Sequence, residues 1–345
     1  MSTTELTGVG VDPAVVDMMN SVFADYRDTH LPAARAQRDP ALWQALHELG
    51  LARLTGAESA GGSGAGWYEA AELISAAVRH GVRLPLAEHD LMACWLLDAN
   101  GTPSGSAVRT VALLDDHGVA TLVPWAAGAD RIVVVWPDAD QYWMTDADPG
   151  DLQITPGANM IGEPRDTVRA DLRRLRGGPV SAEALAQLRC KSALVRAIQV
   201  CAALDQILAM SVEHTTSRIQ FGRPLSKFQT VQNLISDIAA EAALARSATE
   251  AALSAAVTSD WSSTNLDFLV AVARSCAGHA TSVVVRNGHQ VHGAMGTTRE
   301  HRLHEFTRAA LAWRGEFGSV RHWDEVVTDA ALQAGSARLW NMITG

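Results

Sequence analysis

The stretch SRIQFGRPLSKFQTVQ, Ser217 to Gln232, interrupts a helical pattern with Gly222, Arg223 and Pro224 and resumes it at Phe228 and Gln229. Glycine admits backbone angles closed to other residues and proline fixes the φ that follows, so a simple chain reversal explains those two. Arg218, Phe221 and Gln229 are left over. An arginine one turn before the break, an aromatic at it and an amide after it suit a nucleotide. Guanidinium pairs with phosphate, a ring lies against a base, and an amide bonds ribose or base edges. A second stretch, GHQVHGAMGTTREH, sets Gly293 and Gly296 in an otherwise helical region. Glycine there lets a ligand approach the backbone, and freed N–H groups bind phosphate. Either stretch alone also fits a plain link between helices.

The elements that must position these residues change character twice along the 345-residue chain. Residues 12 to about 100 are helical in pattern, with Val15, Met18, Met19 and Val22 at helical spacing and GAESAGGSGAG as a loop. A helix is expected from Trp67 to Arg79, and LPLAEHDLMACWLLDAN as another. From Val108 to about Val168 the runs RTVALLDD, VATLVPW, RIVVVWP and QYWMTD read as antiparallel strands joined by hairpins. Asp138-Ala139-Asp140 and Asp148-Pro149-Gly150 supply turn chemistry. Gly177-Gly178-Pro179 marks a boundary, and Ser181 a helix start. Beyond it lie long helices, with one apolar face at Leu194, Ile198, Cys201, Ala202 and Leu208. Another is at Phe228, Val231, Ile235, Ile238, Ala242 and Ala245, and a third helix spans Leu266 to His289. The expected class is α+β, in three parts: an N-terminal helical domain over 1–105, a small antiparallel β domain over 106–176 and a helical bundle over 177–345.

Composition narrows the function. With 28 basic against 38 acidic residues the formal charge is −10, which argues against nucleic acid as partner. RADLRRLR, Arg169 to Arg176, reads as a solvated helix start or linker. No apolar run reaches a span's length and the first residues lack a signal peptide's pattern, so no membrane and a cytoplasmic location are expected. Cys94, Cys190, Cys201 and Cys276 are scattered and read as reduced core residues; His289 and His292 lack a third ligand, so no metal is expected.

Together, RIQFGRPLSKFQTVQ and, about sixty residues on, QVHGAMGTTREHRLHEFTR resemble the acyl-CoA dehydrogenase family, as does LTGAESAGGSGAGWYEAAELISAAVRHG near the N-terminus. The resemblance implies a helical domain, a β domain and a C-terminal four-helix bundle, with FAD as cofactor and an acyl-CoA thioester as substrate. Arg218, Phe221 and Gln229 match positions contacting the FAD diphosphate and adenosine of a neighbouring subunit; Gln290, His292, Gly293, Ala294 and Gly296 match the turn that cradles the same cofactor.

Departures from the pattern matter as much. The family's Thr-Glu-Pro, Gly-Ser-Asp and Trp-Ile-Thr segments around the flavin ring do not stand here; VALLDDHG lies where the first belongs, and VPWAAGAD, Val123 to Asp130, is the nearest to the last. The chain thus resembles the shortened subunits that pair with a longer acyl-CoA dehydrogenase-like partner, which implies a heterotetramer passing electrons to an electron-transfer flavoprotein. The alternative is a scaffold of the same fold without its own cofactor. Thioester dehydrogenation needs a carboxylate base for the α-proton. The family sets it either early in the helix before the break, where Ser192 stands beside Lys191, or beyond the glycine turn. There Glu316 takes the place in WRGEFGSVRHW once a gap of one residue is allowed, with Phe317 where glycine is expected. The competing expectation has Glu316 exposed at a helix end, paired to Arg314 or Arg321. Glu300 and Glu305 read as surface carboxylates.

Overall fold

The computed structural model describes residues 10–31 and 33–344, to which every statement of absence below refers. Two compact units divide the chain, one ending at Ser192 and the other beginning at Ala193.

The first unit opens with helices α1 (Pro13–Thr29) and α2 (Pro40–Glu48), each led by proline behind an aspartate cap. Asp12 accepts from the Ala14 N–H, and Asp39 from those of Ala41 and Leu42; proline costs nothing there, because first-turn donors are unpaired anyway. Helix α3 (Trp67–His80) is buried along Ala70 to Val78 and ends at Gly81, whose φ is 71°. The helix expected over Leu84 to Asn100 is split. Glu88–Cys94 winds as a wide π-turn segment, entirely buried, before α4 (Trp95–Ala99).

Strands β1 (Arg109–Leu113), β2 (Val119–Pro124), β3 (Arg131–Asp138), β4 (Gln141–Ala147), β5 (Gln153–Thr155), β6 (Arg165–Arg169) and β7 (Gly178–Val180) follow. They form two sheets, ordered β1-β3-β4-β7 and β2-β6-β5. The pairings β3–β4, β4–β7, β2–β6 and β5–β6 are antiparallel as expected; one departs, β1 running parallel to β3 with Arg109 opposite Arg131. β2 leaves for the other sheet to pair with β6, which frees the β1 edge for β3; within these two sheets β3 and β4 make the tight hairpin, closing at Asp138 and Gln141. Both sheets feed one core, with Ala112, Ile132, Val134 and Trp136 from the first and Ala120, Val123 and Val168 from the second. Arg169 to Arg176 forms the end of β6 and a turn, and no helix, Asp171 accepting from the Arg173 and Arg174 N–H groups.

Helix α5 (Ala182–Ser217), capped by Ser181, continues into the second unit. A small hairpin of β8 (Ile219–Gln220) and β9 (Arg223–Pro224) comes next, then α6 (Gln229–Thr258), α7 (Leu266–His292), α8 (Leu303–Trp313) and α9 (Val320–Thr344). Helix α7 packs against α6, α8 and α9. Its small residues permit the close approach: a Cβ on Gly278 would sit 2.6 Å from the Val320 side chain. This is the helical bundle that the periodicity implied, with Ile238, Ala242 and Ala245 of α6 buried and Phe228 only partly so. One expectation is revised. By length and composition α5 and the Leu266–Thr297 helix are apolar enough to cross a membrane, and 67% and 50% of their apolar windows lie buried in the protein. Cys94, Cys190 and Cys201 are buried free thiols and Cys276 is half-buried.

Candidate active site

The break after α5 is a two-residue hairpin turn. Phe221 and Gly222 both take positive φ, 51° and 77°, and Ile219 pairs with Pro224 while Gln220 pairs with Arg223. Positive φ at both central residues is the turn whose twist matches the strands. Glycine adopts it freely, whereas a phenylalanine there is strained. The turn holds Phe221 outward, 91% exposed, its ring meeting only the edge of Phe228 at 6.2 Å. Arg223 stacks on the other aromatic, 4.2 Å from the Phe228 ring. Arg218 is exposed and has no ion-pair or side-chain hydrogen-bond partner among the described residues. Gln229 is exposed at the start of α6 and donates to Asn233 Oδ1 at 3.0 Å.

The glycine turn lies at the end of α7. Gln290, Gly293 and Ala294 are exposed, while His292 and Gly296 are buried. Gly293 has φ 59° and ψ −143° with nothing within 4 Å of a would-be Cβ, so it serves conformation and leaves its surroundings open. Gly296 serves packing: a Cβ there would lie 2.7 Å from His292 Cβ and 3.0 Å from Leu303 Cδ2.

What brings the two stretches together is a set of imidazoles that motif reading missed. His214, in the last turn of α5, stacks on His292 with ring centroids 4.6 Å apart, and His301 meets the His292 ring at 4.8 Å. Arg218 follows His214 by one turn. His292 Nδ1 lies 2.7 Å from the Gly288 carbonyl, to which it can only donate, so neutral His292 carries a bare acceptor at Nε2. That Nε2 is buried and without a hydrogen-bond partner. Burial, and then the neighbouring His214 and His301, push the His292 imidazolium down to about 4, although the Gly288 hydrogen bond favours it. The unfolded chain therefore takes up this proton first as pH falls. Stability is expected to be full above about pH 6.5 and to drain away toward pH 4. Thermal melts across that range should show the slope, and His292→Asn should flatten it; an unchanged slope would remove His292 as its source.

Of the two base positions, neither presents a free carboxylate. Ser192 is buried and donates to the Leu188 carbonyl at 2.8 Å. Beside it, the Lys191 ammonium sits 4.8 Å from the Trp67 ring and 4.6 Å from the Trp95 ring. Glu316 stands in the turn between α8 and α9, and the expected pairing with Arg314 or Arg321 does not occur. Arg314 donates to Ser282 and Arg321 to Glu325, while Glu316 Oε2 accepts from Arg196 Nε at 2.7 Å. Arg196 is 0% exposed and also donates to Gln199 Oε1. Arg274, also buried, donates from one nitrogen to the carbonyls of Arg314, Glu316 and Gly318. Burial first, then Arg196, pushes the Arg274 guanidinium down to about 9. Phe317 takes φ 53° and lies under Arg196, 4.9 Å from guanidinium carbon to ring centroid. One arginine thus grips the turn's side chain and the other its backbone. The signal available in sequence was an arginine on each of two apolar helix faces, in SALVRAIQV and VAVARSCAG. Glu300 is exposed, and Glu305 pairs with Arg302 at 3.3 Å.

Around the expected flavin-ring segments, Trp125 is buried with φ 60°, and the Ala127 N–H donates to Asp166 at 2.8 Å. Among the described residues no group of three or more His, Cys, Asp or Glu could hold a metal ion.

The helical-β-helical order of elements, with an exposed arginine and aromatic at a helix break, finds its match in one family of known proteins. The family model described as "Acyl-CoA dehydrogenase, N-terminal domain" matches residues 14–105, and that described as "Acyl-CoA dehydrogenase, C-terminal domain" matches 176–320. The chain belongs to the acyl-CoA dehydrogenase family, whose members are flavin-dependent oxidoreductases. It is 28% identical over 277 residues to acyl-CoA dehydrogenase IpdE2 of Mycobacterium tuberculosis, covering 79% of this chain and 80% of that one. With the IpdE2 of Mycolicibacterium smegmatis it shares 26% over 283 residues, covering 79% and 82%. The fold is that of the ChsE4-ChsE5 complex from Mycobacterium tuberculosis, at TM-score 0.78 and 22% identity over 96% of this chain and 98% of the other. It is likewise that of a glutaryl-coenzyme A dehydrogenase complexed with glutaryl-CoA, at TM-score 0.77 and 17% identity over 95% and 98%.

Proposed function

We propose that the chain is a subunit of an FAD-dependent acyl-CoA dehydrogenase, completing across an interface the FAD site of a longer dehydrogenase-like partner that supplies the α-proton base. Four chains, two of each kind, and an electron-transfer flavoprotein as acceptor complete the reading. FAD, when bound, takes the hydride from the β-carbon of the thioester. The residues present fit part of that cofactor. Arg218 offers an exposed, uncommitted guanidinium to the diphosphate, Phe221 an exposed ring to the base, and Gly293 open backbone. The buried Trp125 turn and the absent β-domain segments offer nothing comparable to the flavin ring, which this reading leaves to the partner.

The observation that carries the assignment of the base elsewhere is the Glu316–Arg196 pair. A carboxylate that accepts a charge-assisted bond from a buried guanidinium loses that bond when it takes up a proton. Its part here is to hold the turn between α8 and α9. In the complex purified with its partner, Glu316→Gln should leave turnover within about threefold, where loss of a general base costs at least about a hundredfold. A hundredfold fall with flavin retained would make Glu316 the base and overturn the reading. Loss of flavin from a complex that still assembles when Phe221 and Arg218 are changed supports the cofactor role.

A further inference from the structure

The imidazole cluster has a composition that a purely structural contact does not require. The charged neighbours that act on His214 are His301 and Arg218, and those that act on His292 are His214, His301 and His289. Each of them is a cation when charged. The carboxylates nearest in sequence, Glu213 and Glu300, are not among those neighbours, and Glu305 is committed to Arg302. The C-terminal ends of α5 and α7 soften this concentration of positive groups without neutralising it.

The hydrogen bonding points the same way. His301 Nδ1 accepts from the Leu303 N–H at 3.2 Å, which puts the proton of the neutral ring on Nε2 as a donor. Neither nitrogen of His214 has a partner among the described residues, and both His214 and His301 are only half-buried. Behind them lies the buried, unpartnered Nε2 of His292. Donors therefore gather at the end of α5 and in the segment before α8, with the Arg218 guanidinium one turn on, a vacant acceptor at their back and no carboxylate bonded to them among the described residues.

We infer that His214, His301 and Arg218 form a binding site for a diphosphate diester, and that its occupation draws a proton into the imidazole cluster. The inference deepens the FAD reading above, since FAD carries such a diphosphate; it adds two histidines and a proton to what the arginine alone would do. The anion supplies the missing counter-charge, and the proton that enters turns an imidazole lone pair into a donor toward it. In the free chain burial and the cationic neighbours hold the His214 imidazolium below its ordinary range, so at neutral pH the proton arrives with the ligand. Binding should accordingly tighten as pH falls from 8 to 6.

The test uses the full-length chain carrying carbon-13-labelled histidine, followed by NMR between about pH 5 and pH 8. It is titrated alone, with ADP-ribose, with FAD, and with sodium sulfate at matched ionic strength. ADP-ribose carries a diphosphate diester whose charge is constant over this range. His214 is identified by the signal lost in His214→Asn. With ADP-ribose its titration midpoint should rise by about one pH unit or more. ADP-ribose should bind at least about fivefold tighter at pH 6 than at pH 8. Arg218→Ala and His301→Asn, both at accessible side chains, should each remove most of that rise. A midpoint unmoved by millimolar ADP-ribose, or moved as far by sulfate, overturns the site. A rise with ADP-ribose and none with FAD keeps the site and removes FAD as its occupant. Flavin present in the assembled enzyme beside an unmoved His214 removes this inference and leaves the FAD reading standing.

Discussion

Arg196→Leu is expected to destabilise the helical bundle by about 3 kcal/mol or more, the cost of leaving one member of a buried ion pair behind. The figure sits at the low end of the range for such pairs because the Glu316 side chain retains 13% exposure. The substitution also removes the bond to Gln199 and the guanidinium over Phe317, which leaves a strained turn to the backbone bonds from Arg274 and from the Trp323 indole. Replacing both partners, Arg196→Leu with Glu316→Leu, should recover much of the loss, since an apolar pair of similar volume needs no desolvated charge. Chemical denaturation of the full chain measures both. If the double variant is no more stable than the single, the pair does not hold the turn.

Arg218→Ala has the opposite character, a large effect on ligand and little on fold. The side chain is exposed and makes no bond among the described residues, so the melting temperature should stay where it is. A charge-assisted contact to a diphosphate contributes roughly 1.5 to 3 kcal/mol. Its loss should weaken FAD binding about 10- to 150-fold in the assembled complex, read as flavin absorbance per protein after gel filtration. Unchanged flavin content would falsify the assignment of this break to the cofactor.

Helical parts were legible because their signals are local. Alternation at helical spacing marked α1, α5, α6 and α7, and Ser181 marked a helix start within a residue. Sheet pairing was not legible, because a β-branched run declares a face and not a partner, and β1 found β3 by passing over its neighbour β2. The break was read correctly as a turn at Gly222, yet the positive φ of Phe221 is set by the hairpin twist and leaves no trace in residue type. At the site the exposed residues matched motifs, whereas the residues that organise them did not. Arg196 meets Glu316 across 120 positions, and His214 and His292 come from different helices. Such contacts exist only once the bundle has formed.

The wide turn at Glu88–Cys94 has a consequence for comparing this chain with its relatives. An ordinary helix advances about 100° per residue, so removing one residue from that segment would swing everything behind it by about that angle. Trp95 would then leave the Lys191 ammonium, and Leu96 and Leu97, both 0% exposed, would turn out of the core. No substitution can do this, because the feature is encoded as a count and not as a set of side chains. When such sequences are laid side by side, a one-position gap here is therefore meaningful, and closing it to gain a few identities would put every later residue of the helix out of phase.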